Sequence, residues 1–474
     1  MPVVTVAALD GGVVTLSEDT LETFRASFGG SLVFPEDDDY DEVRAIWNAM
    51  IDRRPALIAR CARTQDVIEC VNLARVHGLL TSVRGVGHNI AGKAVCDDGL
   101  MIDLSLMNRV QVDGDTRVAT AGPGVSLGDL DGATQEFGLA TVLGINSTTG
   151  VGGLTLGGGF GWLSRKHGLT VDNLLEADMV TADGDLVHAS ESENADLFWG
   201  IQGGGGNLGI VTSFTYRLHE VGPNVLSGLV IHPFGVAREA FDFYRDFCAT
   251  LPDELSVWAV MRHAPPLPFL PEDFHGQLML AFATVYAGDP EEGKRLLAPL
   301  REWGDPVADV IDLNPYAGFQ QAFDPLLEPG ARNYWKSHNF LELSDGLIDT
   351  LIAAVNDLPS PDSEIFVAQM GGATSRVPAD ATAYPHRDAE YIMNVHTRWT
   401  DAAQDTACVT WAREFFDATA PFATGGVYVN FVSEDEGRAA AAYGENYGRL
   451  AELKQKYDPG NLFRTNQNVS PASG

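Results

Sequence analysis

The chain is 474 residues long, 45% hydrophobic, and carries 65 Asp and Glu against 31 Lys and Arg, a formal charge of −34. That length exceeds what one core usually supports and predicts two domains. The charge excludes nucleic acid as a main partner, and no apolar run reaches the length of a membrane span.

The N-terminus lacks the basic start of a signal peptide, so the expected location is the cytoplasm. Only six of the basic residues are lysine. A large carboxylate excess with little lysine suits a salt-rich cytoplasm, where self-repulsion is screened; a GC-rich genome with an acidic proteome is the other reading. The five cysteines (Cys61, Cys70, Cys96, Cys248, Cys408) are scattered and form no C-x-x-C pair. They read as buried thiols, with no metal site, disulfide framework or nucleophile among them.

In chain order, 56–62 reads as a strand, 64–77 as an amphipathic helix and 79–83 as a second strand. That strand runs into Arg84-Gly85-Val86-Gly87-His88-Asn89-Ile90-Ala91-Gly92. Its glycines permit positive φ and close backbone approach, so successive N–H groups can converge on an anion. Arg84 adds a charge suited to phosphate oxygens, and His88 puts a nucleophilic ring in the middle of the cradle. A glycine-rich turn with an incidental histidine is the alternative. The segment is not the dinucleotide fingerprint, because its third glycine comes too late.

Strands follow at 101–104, 109–112 and 117–121, then a helix over 126–137. The region 144–161 is the most glycine-dense of the chain. Its backbone entropy cost predicts close approach to a flat or charged ligand, supported by Phe160 and Trp162, with a tight β-corner as the alternative. Strands at 177–182 and 185–189 precede the run Gly203–Gly206, which leads through Asn207 and Gly209 into a strand at 210–218. Beyond Val221, strands at 226–232, 254–262 and 277–286 alternate with helices and proline-rich loops. This pattern predicts an α+β domain on an antiparallel sheet. The last fifty residues read as strand, helix and a polar tail that folds back on the first domain. Its three consecutive amides, Asn466-Gln467-Asn468, are a solvated end unless something is hydrogen-bonded there.

Six motifs in this order resemble one family across nearly the whole chain: RGVGHNIAG at 84–92, GVGGLTLGGGFGWL at 150–163, HGLTVDNL at 167–174, DLFWGIQGGGGNLGIVT at 196–212, YVNF at 428–431 and YDPGNLFRTNQN at 457–468. They are similar to the berberine-bridge-enzyme-like branch of the vanillyl-alcohol-oxidase superfamily. The resemblance implies a two-domain α+β flavoprotein. Residues 1–222 and the return segment 425–474 would form the FAD-binding domain, and 223–424 the substrate domain. His88 would attach to the flavin 8α-methyl. Further FAD contacts would come from Arg84, Gly85, Val86, Gly87, Asn89 and Gly92, from Thr148, Thr149, Gly150, Gly153, Gly157 and Gly161, from Gly209 and Val211, and from Asn466 and Asn468.

Many relatives carry a second link through a cysteine at the position of Asn146. Asparagine forms no thioether, so a single covalent link is implied, and the substrate class stays open. Thr149 matches the position that governs oxygen access; its valine-like shape points to an oxidase. Tyr428 matches the family's base, which needs its pKa depressed from about 10, or another acceptor, to work near neutrality; ordinary strand packing is its bland alternative. Gln369 is a further candidate for facing the substrate. Arg332, Tyr334 and Lys336 are candidates for the pocket mouth, though surface or structural roles suit them better. The implied activity is hydride transfer from an alcohol-type small molecule (sugar, phenolic or natural-product alcohol) to FAD, with O2 as oxidant and H2O2 as product. A dehydrogenase using a quinone or protein acceptor and a non-catalytic flavin-binding protein are the alternatives.

Overall fold

The computed structural model describes residues 3–433 and 439–472. The first part of the chain builds two larger sheets and two small two-stranded ones, Val4–Ala7 with Val13–Leu16 and Leu139–Ala140 with His219–Glu220. In a four-stranded sheet the order is Ser31–Val33, Leu57–Arg60, Leu100–Asp103, Thr81–Arg84, the last three parallel. Helix Thr64–His77 makes the crossover, and its end is set by Gly78 in the left-handed conformation. In a five-stranded antiparallel sheet the order is Leu186–Ser190, Leu174–Val180, Ile210–Arg217, Val118–Ala121, Val110–Asp113. Beside it, helix Leu127–Gln135 starts at Ser126, whose hydroxyl accepts from the Asp129 N–H.

The middle of the chain forms an eight-stranded antiparallel sheet. Its path runs Ala308–Asp309, Asn224–Pro233, Leu278–Tyr286, Leu255–His263, Glu364–Gln369, Tyr391–Trp399, Arg332–Phe340, with Asp312–Pro315 also pairing to Asn224–Pro233. Side chains alternate across such strands. One face packs Val257, Ile365, Val367 and Tyr334 under helices Ala237–Cys248, Asp345–Val355 and Asp405–Thr419. The other face presents Trp258, Phe366, Ala368 and Ile392 to Phe160, Trp162 and Tyr428 of the glycine-rich side.

The end of the chain returns to the start. Leu462 and Phe463 share a core with Val6, Leu57 and Ile102. A fully buried Lys454 pins this return, its Nζ donating to the carbonyls of Asn207 (2.7 Å) and Phe463 (2.9 Å) and to Asp458 Oδ2 (2.6 Å). Asp458 in turn accepts the N–H groups of Leu462 and Phe463. A buried ammonium is tolerable only when its donors are satisfied in this way.

Two local expectations fail. Within 144–161 the chain forms a helix, Val151–Leu156, which its glycines hide from any propensity reading. Residues 428–431 are not a strand: Val429–Phe431 is a single 3₁₀ turn, so Tyr428 projects from a loop end rather than from a sheet.

Candidate active site

A long cavity runs between the glycine-rich segments and the inner face of the large sheet. On the glycine side it is lined by Gly85, Val86, Gly87, His88 and Asn89, by Asn146, Thr149, Gly150, Gly153 and Gly157, by Gly209 and Val211, and by Asn466 and Gln467. On the sheet side it is lined by Trp258, Trp335, Glu364, Phe366, Asn394 and His396. Tyr428, Asn430 and Phe431 also border it.

His88 sits against the indole of Trp47, ring centroids 4.3 Å apart and 23° from parallel. Burial, aided by the positive charge of Arg398, drives its pKa down to about 3, so the ring is neutral and keeps one nitrogen with a lone pair. Its Nε2 is 3.3 Å from Asn146 Nδ2. The Asn146 amide is oriented by its own oxygen, which accepts from Thr148 N–H (3.1 Å) and the Thr148 hydroxyl (2.7 Å). The amide therefore donates, and Nε2 accepts.

Tyr428 is buried, and its oxygen accepts from Gly159 N–H (3.1 Å) and from Asn430 Nδ2 (3.0 Å). Burial nonetheless pushes its pKa up to about 12, against those two donors. The depressed value expected from the sequence is not what the protein alone provides.

The cavity fits a long, partly flat cofactor. Gly153 and Gly206 both line it, and a Cβ on either would meet no protein atom within 4 Å. Packing within the protein gives no reason for glycine there; open space beside the cavity does. Several buried polar atoms on its lining also lack any partner: Ser82 Oγ and Asn466 Oδ1 on the glycine side, Trp258 Nε1, Trp335 Nε1 and Asn394 Oδ1 on the sheet side. Buried polar groups left this way call for a bound partner.

Five of the cofactor residues expected from the sequence do not line the cavity. Arg84 is the clearest correction: its guanidinium pairs with the buried carboxylate of Asp103 (Nη2 2.7 Å, Nε 3.0 Å) and donates to the carbonyls of Val43 and Ala45. It is spent inside the protein and offers nothing to a phosphate. Gly92 turns at φ 70° against Ile51. Thr148 holds Asn146 instead. Gly161 lets two backbone segments meet, since a Cβ there would fall 1.9 Å from Leu143 O. Asn468 lies beyond the cavity wall.

Gln369 is displaced from the cavity by one residue, and Arg332, Tyr334 and Lys336 take the structural roles that suited them better. The Gln369 amide donates to Cys248 O (3.1 Å) and accepts from Val257 N–H, on the helix-covered face of the sheet. Arg332 pairs with Asp405, Lys336 lies over the Phe416 ring, and Tyr334 belongs to the helix-side core. Alternation gives the cavity to Trp335 instead. Trp47, Trp258, Glu364, Phe366, Asn394 and His396 had no motif to announce them. The one usable sign was period two in Glu364-Ile365-Phe366, which puts a charge and a ring on one face.

A family model described as FAD binding domain matches residues 55–190, and one described as berberine and berberine like matches 427–470. The chain is 31% identical to an FAD-linked oxidoreductase of Dictyostelium discoideum over 90% of this chain and 91% of that one. It is 33% identical to (R)-6-hydroxynicotine oxidase of Paenarthrobacter nicotinovorans over 94% of this chain and 97% of that one. Among solved structures, 6-hydroxy-D-nicotine oxidase from Arthrobacter nicotinovorans superposes with a TM-score of 0.83 at 30% identity, covering 94% of this chain and 99% of that one. BBE-like 1 of Physcomitrella patens shares the fold with a TM-score of 0.86 at 24% identity, over 96% and 100% of the two chains.

Proposed function

The chain belongs to the berberine-bridge-enzyme-like family of FAD-linked oxidoreductases, and on that premise we propose that it is an oxidase of an alcohol-type small molecule, with FAD held by one covalent bond to His88. The observation that carries this reading is the shared cavity: a trough open at Gly153 and Gly206, with neutral His88 and buried Tyr428 both on its lining. Residues up to about 222, with the returning C-terminal segment, hold the cofactor, and the large sheet holds the substrate.

Bound FAD supplies the two-electron acceptor for a substrate C–H and passes those electrons to oxygen. The protein does the rest. His88, neutral and backed by Trp47, offers a ring nitrogen for the covalent bond. Asn146 beside it has no thiol, so no second bond forms. Thr149 lines the cavity and keeps the valine-like outline that leaves oxygen a path. Tyr428 acts as the phenolate: having first lost its own proton to solvent, it takes the proton of the substrate hydroxyl and becomes the phenol. The Gly159 and Asn430 donors converge on its oxygen and hold the phenolate until that transfer. The aromatic wall of Phe160, Phe431 and Trp258 keeps water from the reacting carbon.

The test is anaerobic mixing of the holoenzyme with sugar, phenolic and other alcohols while flavin absorbance is followed, then admission of air with peroxide assayed. Bleaching by an alcohol followed by recolouring with stoichiometric peroxide is expected. Bleaching that air does not reverse, but a quinone does, replaces the oxidase with a dehydrogenase. Acid precipitation of the same protein should leave the colour in the pellet; yellow supernatant removes the covalent bond to His88.

A further inference from the structure

One stretch of the cavity wall carries polar groups that the hydride chemistry does not use. Across neighbouring strands, Arg262, Glu364, His396 and Trp335 stand in one register row. Glu364 Oε2 accepts from Arg262 Nη1 at 2.7 Å. Burial opposes the charged carboxylate, but Arg262, joined by His396 once acid protonates that ring, outweighs it and holds the pKa down to about 2. Its other oxygen, Oε1, lies 3.5 Å from His396 Nδ1.

The far nitrogen of that imidazole fixes its tautomer. Asn333 Nδ2 donates to Ala331 O at 2.8 Å, which turns the amide oxygen toward His396 Nε2 (3.1 Å) and Arg398 Nη1 (3.2 Å). An amide oxygen only accepts, so Nε2 carries the hydrogen. In the neutral ring Nδ1 is then a bare lone pair facing a carboxylate oxygen. Two acceptors confront each other with no hydrogen between them.

A second proton on the ring does not relieve this. Burial and the guanidinium groups of Arg398 and Arg262 outweigh the pull of Glu364 and keep the imidazole below its ordinary pKa. The 3.5 Å separation also exceeds the roughly 2.7–2.9 Å of a charge-assisted bond. Both side chains line the cavity. What is missing is a donor, and the cavity is where it can come from.

We infer that Glu364 Oε1 and His396 Nδ1 together accept an uncharged O–H or N–H donor of the substrate, so that the enzyme takes alcohols bearing a second donor remote from the carbon oxidised. This rests on the reading of the cavity as the oxidation site. The sheet places the pair one row away from the backbone of the proposed base. Tyr428 N–H is bound by Ser337 Oγ at 3.1 Å, and Ser337 belongs to the next row, Val260, Phe366, Asn394, Ser337. One row is two residues, or about 7 Å along the strands. Phe366, Phe431 and Trp335 wall that interval and suit a flat body. An ammonium donor is disfavoured at this pair, because Arg262 already supplies the positive partner of the Glu364 carboxylate.

The test is calorimetric titration of the anaerobic holoenzyme with 1,4-benzenedimethanol and with 4-ethylbenzyl alcohol, which replaces one hydroxyl by a methyl. The diol should bind at least about tenfold more tightly, as expected for one well-placed hydrogen bond. In Glu364→Gln the new amide can donate to His396 Nδ1 and close the acceptor pair, so the preference for the diol over the ethyl alcohol should vanish. Equal affinity in the wild type, no binding of either alcohol, a preference that survives Glu364→Gln, or tighter binding of 4-(aminomethyl)benzyl alcohol than of the diol each overturns the inference. If Glu364→Gln is recovered without flavin, the two wild-type affinities still decide. Flavin bleaching is read separately: selective binding without bleaching sustains the donor site and removes these alcohols as substrates, whereas bleaching without selectivity does the reverse.

Discussion

The glycine trough and the sheet face opposite it bound the same cavity, yet they are made differently. The trough is backbone, supplied by a few contiguous segments whose glycines clear space. The sheet face is side chain, one residue at a time from strands far apart in sequence. A trough fails when something is added to it; the sheet face fails when a single polar atom is taken away. The proposed base, Tyr428, stands at their junction, its oxygen bonded from the trough and its N–H from the sheet.

The largest expected effect is at that junction. Tyr428→Phe should slow flavin reduction by about 10²–10⁴-fold, the span of a positioned acid–base group, with flavin content unchanged. Because burial raises the phenol to about 12, the reactive phenolate is scarce at neutrality. Wild-type reduction rates should therefore climb about tenfold per pH unit on approach to that value, and the variant should lose the climb. Stopped-flow reduction at several pH values measures both; a wild-type profile from the phenylalanine variant would take Tyr428 out of the mechanism.

Next comes the support behind the trough. Arg84→Ala strands the buried Asp103 carboxylate with only Arg60 and Ser105 as partners. Breaking a buried pair from one side costs about 3–5 kcal/mol, so denaturant midpoints should fall sharply while the surviving folded fraction stays yellow. Loss of flavin at undiminished stability would instead return Arg84 to the cofactor.

A smaller effect separates the two plans most cleanly. Gly153→Ala adds a methyl that touches no protein atom and removes a glycine from helix Val151–Leu156. The apoprotein should gain about 0.5–1 kcal/mol, whereas the flavin-to-protein ratio should drop. Unchanged flavin loading would show that the trough is wider than its occupant.

The smallest effect concerns the whole surface. With a formal charge of −34, self-repulsion should ease as the Debye length falls from about 10 Å at 0.1 M salt to about 3 Å at 1 M. Thermal midpoints should rise over that range, and a flat curve would favour the GC-rich explanation of the composition.

The same contrast explains what could be read in advance. His88 and most of the trough were legible because glycine spacing is a local property of the chain. Arg84 was misread because nothing in its neighbourhood announces Asp103, nineteen positions on. On the sheet side only part of the strand set was legible: 226–232, 254–262 and 277–286 were read, whereas Arg332–Phe340 and Tyr391–Trp399 were not. Gln369 sits one residue out of step with the cavity, and a slip of one residue sends a side chain to the other face; Arg332, Tyr334 and Lys336 take the structural roles that already suited them better. Alternation fixes which residues share a face; only the packing of four helices on one side, Pro290–Glu302 among them, says which face that is. Tyr428 was identified by its motif, although its loop position and raised pKa follow from burial that no motif encodes.

The hydrogen bond from Thr465 to the Thr81 carbonyl joins positions 384 residues apart, and Asn466 beside it lines the cavity. During synthesis the glycine segments therefore emerge long before their last wall does, and N-terminal parts fold first. The cofactor site closes only once the segment around Asn466 has been made. Loading with flavin thus waits on that segment: a chain interrupted before Leu462 would carry His88 and every glycine of the trough, yet be unable to shut the site around its cofactor.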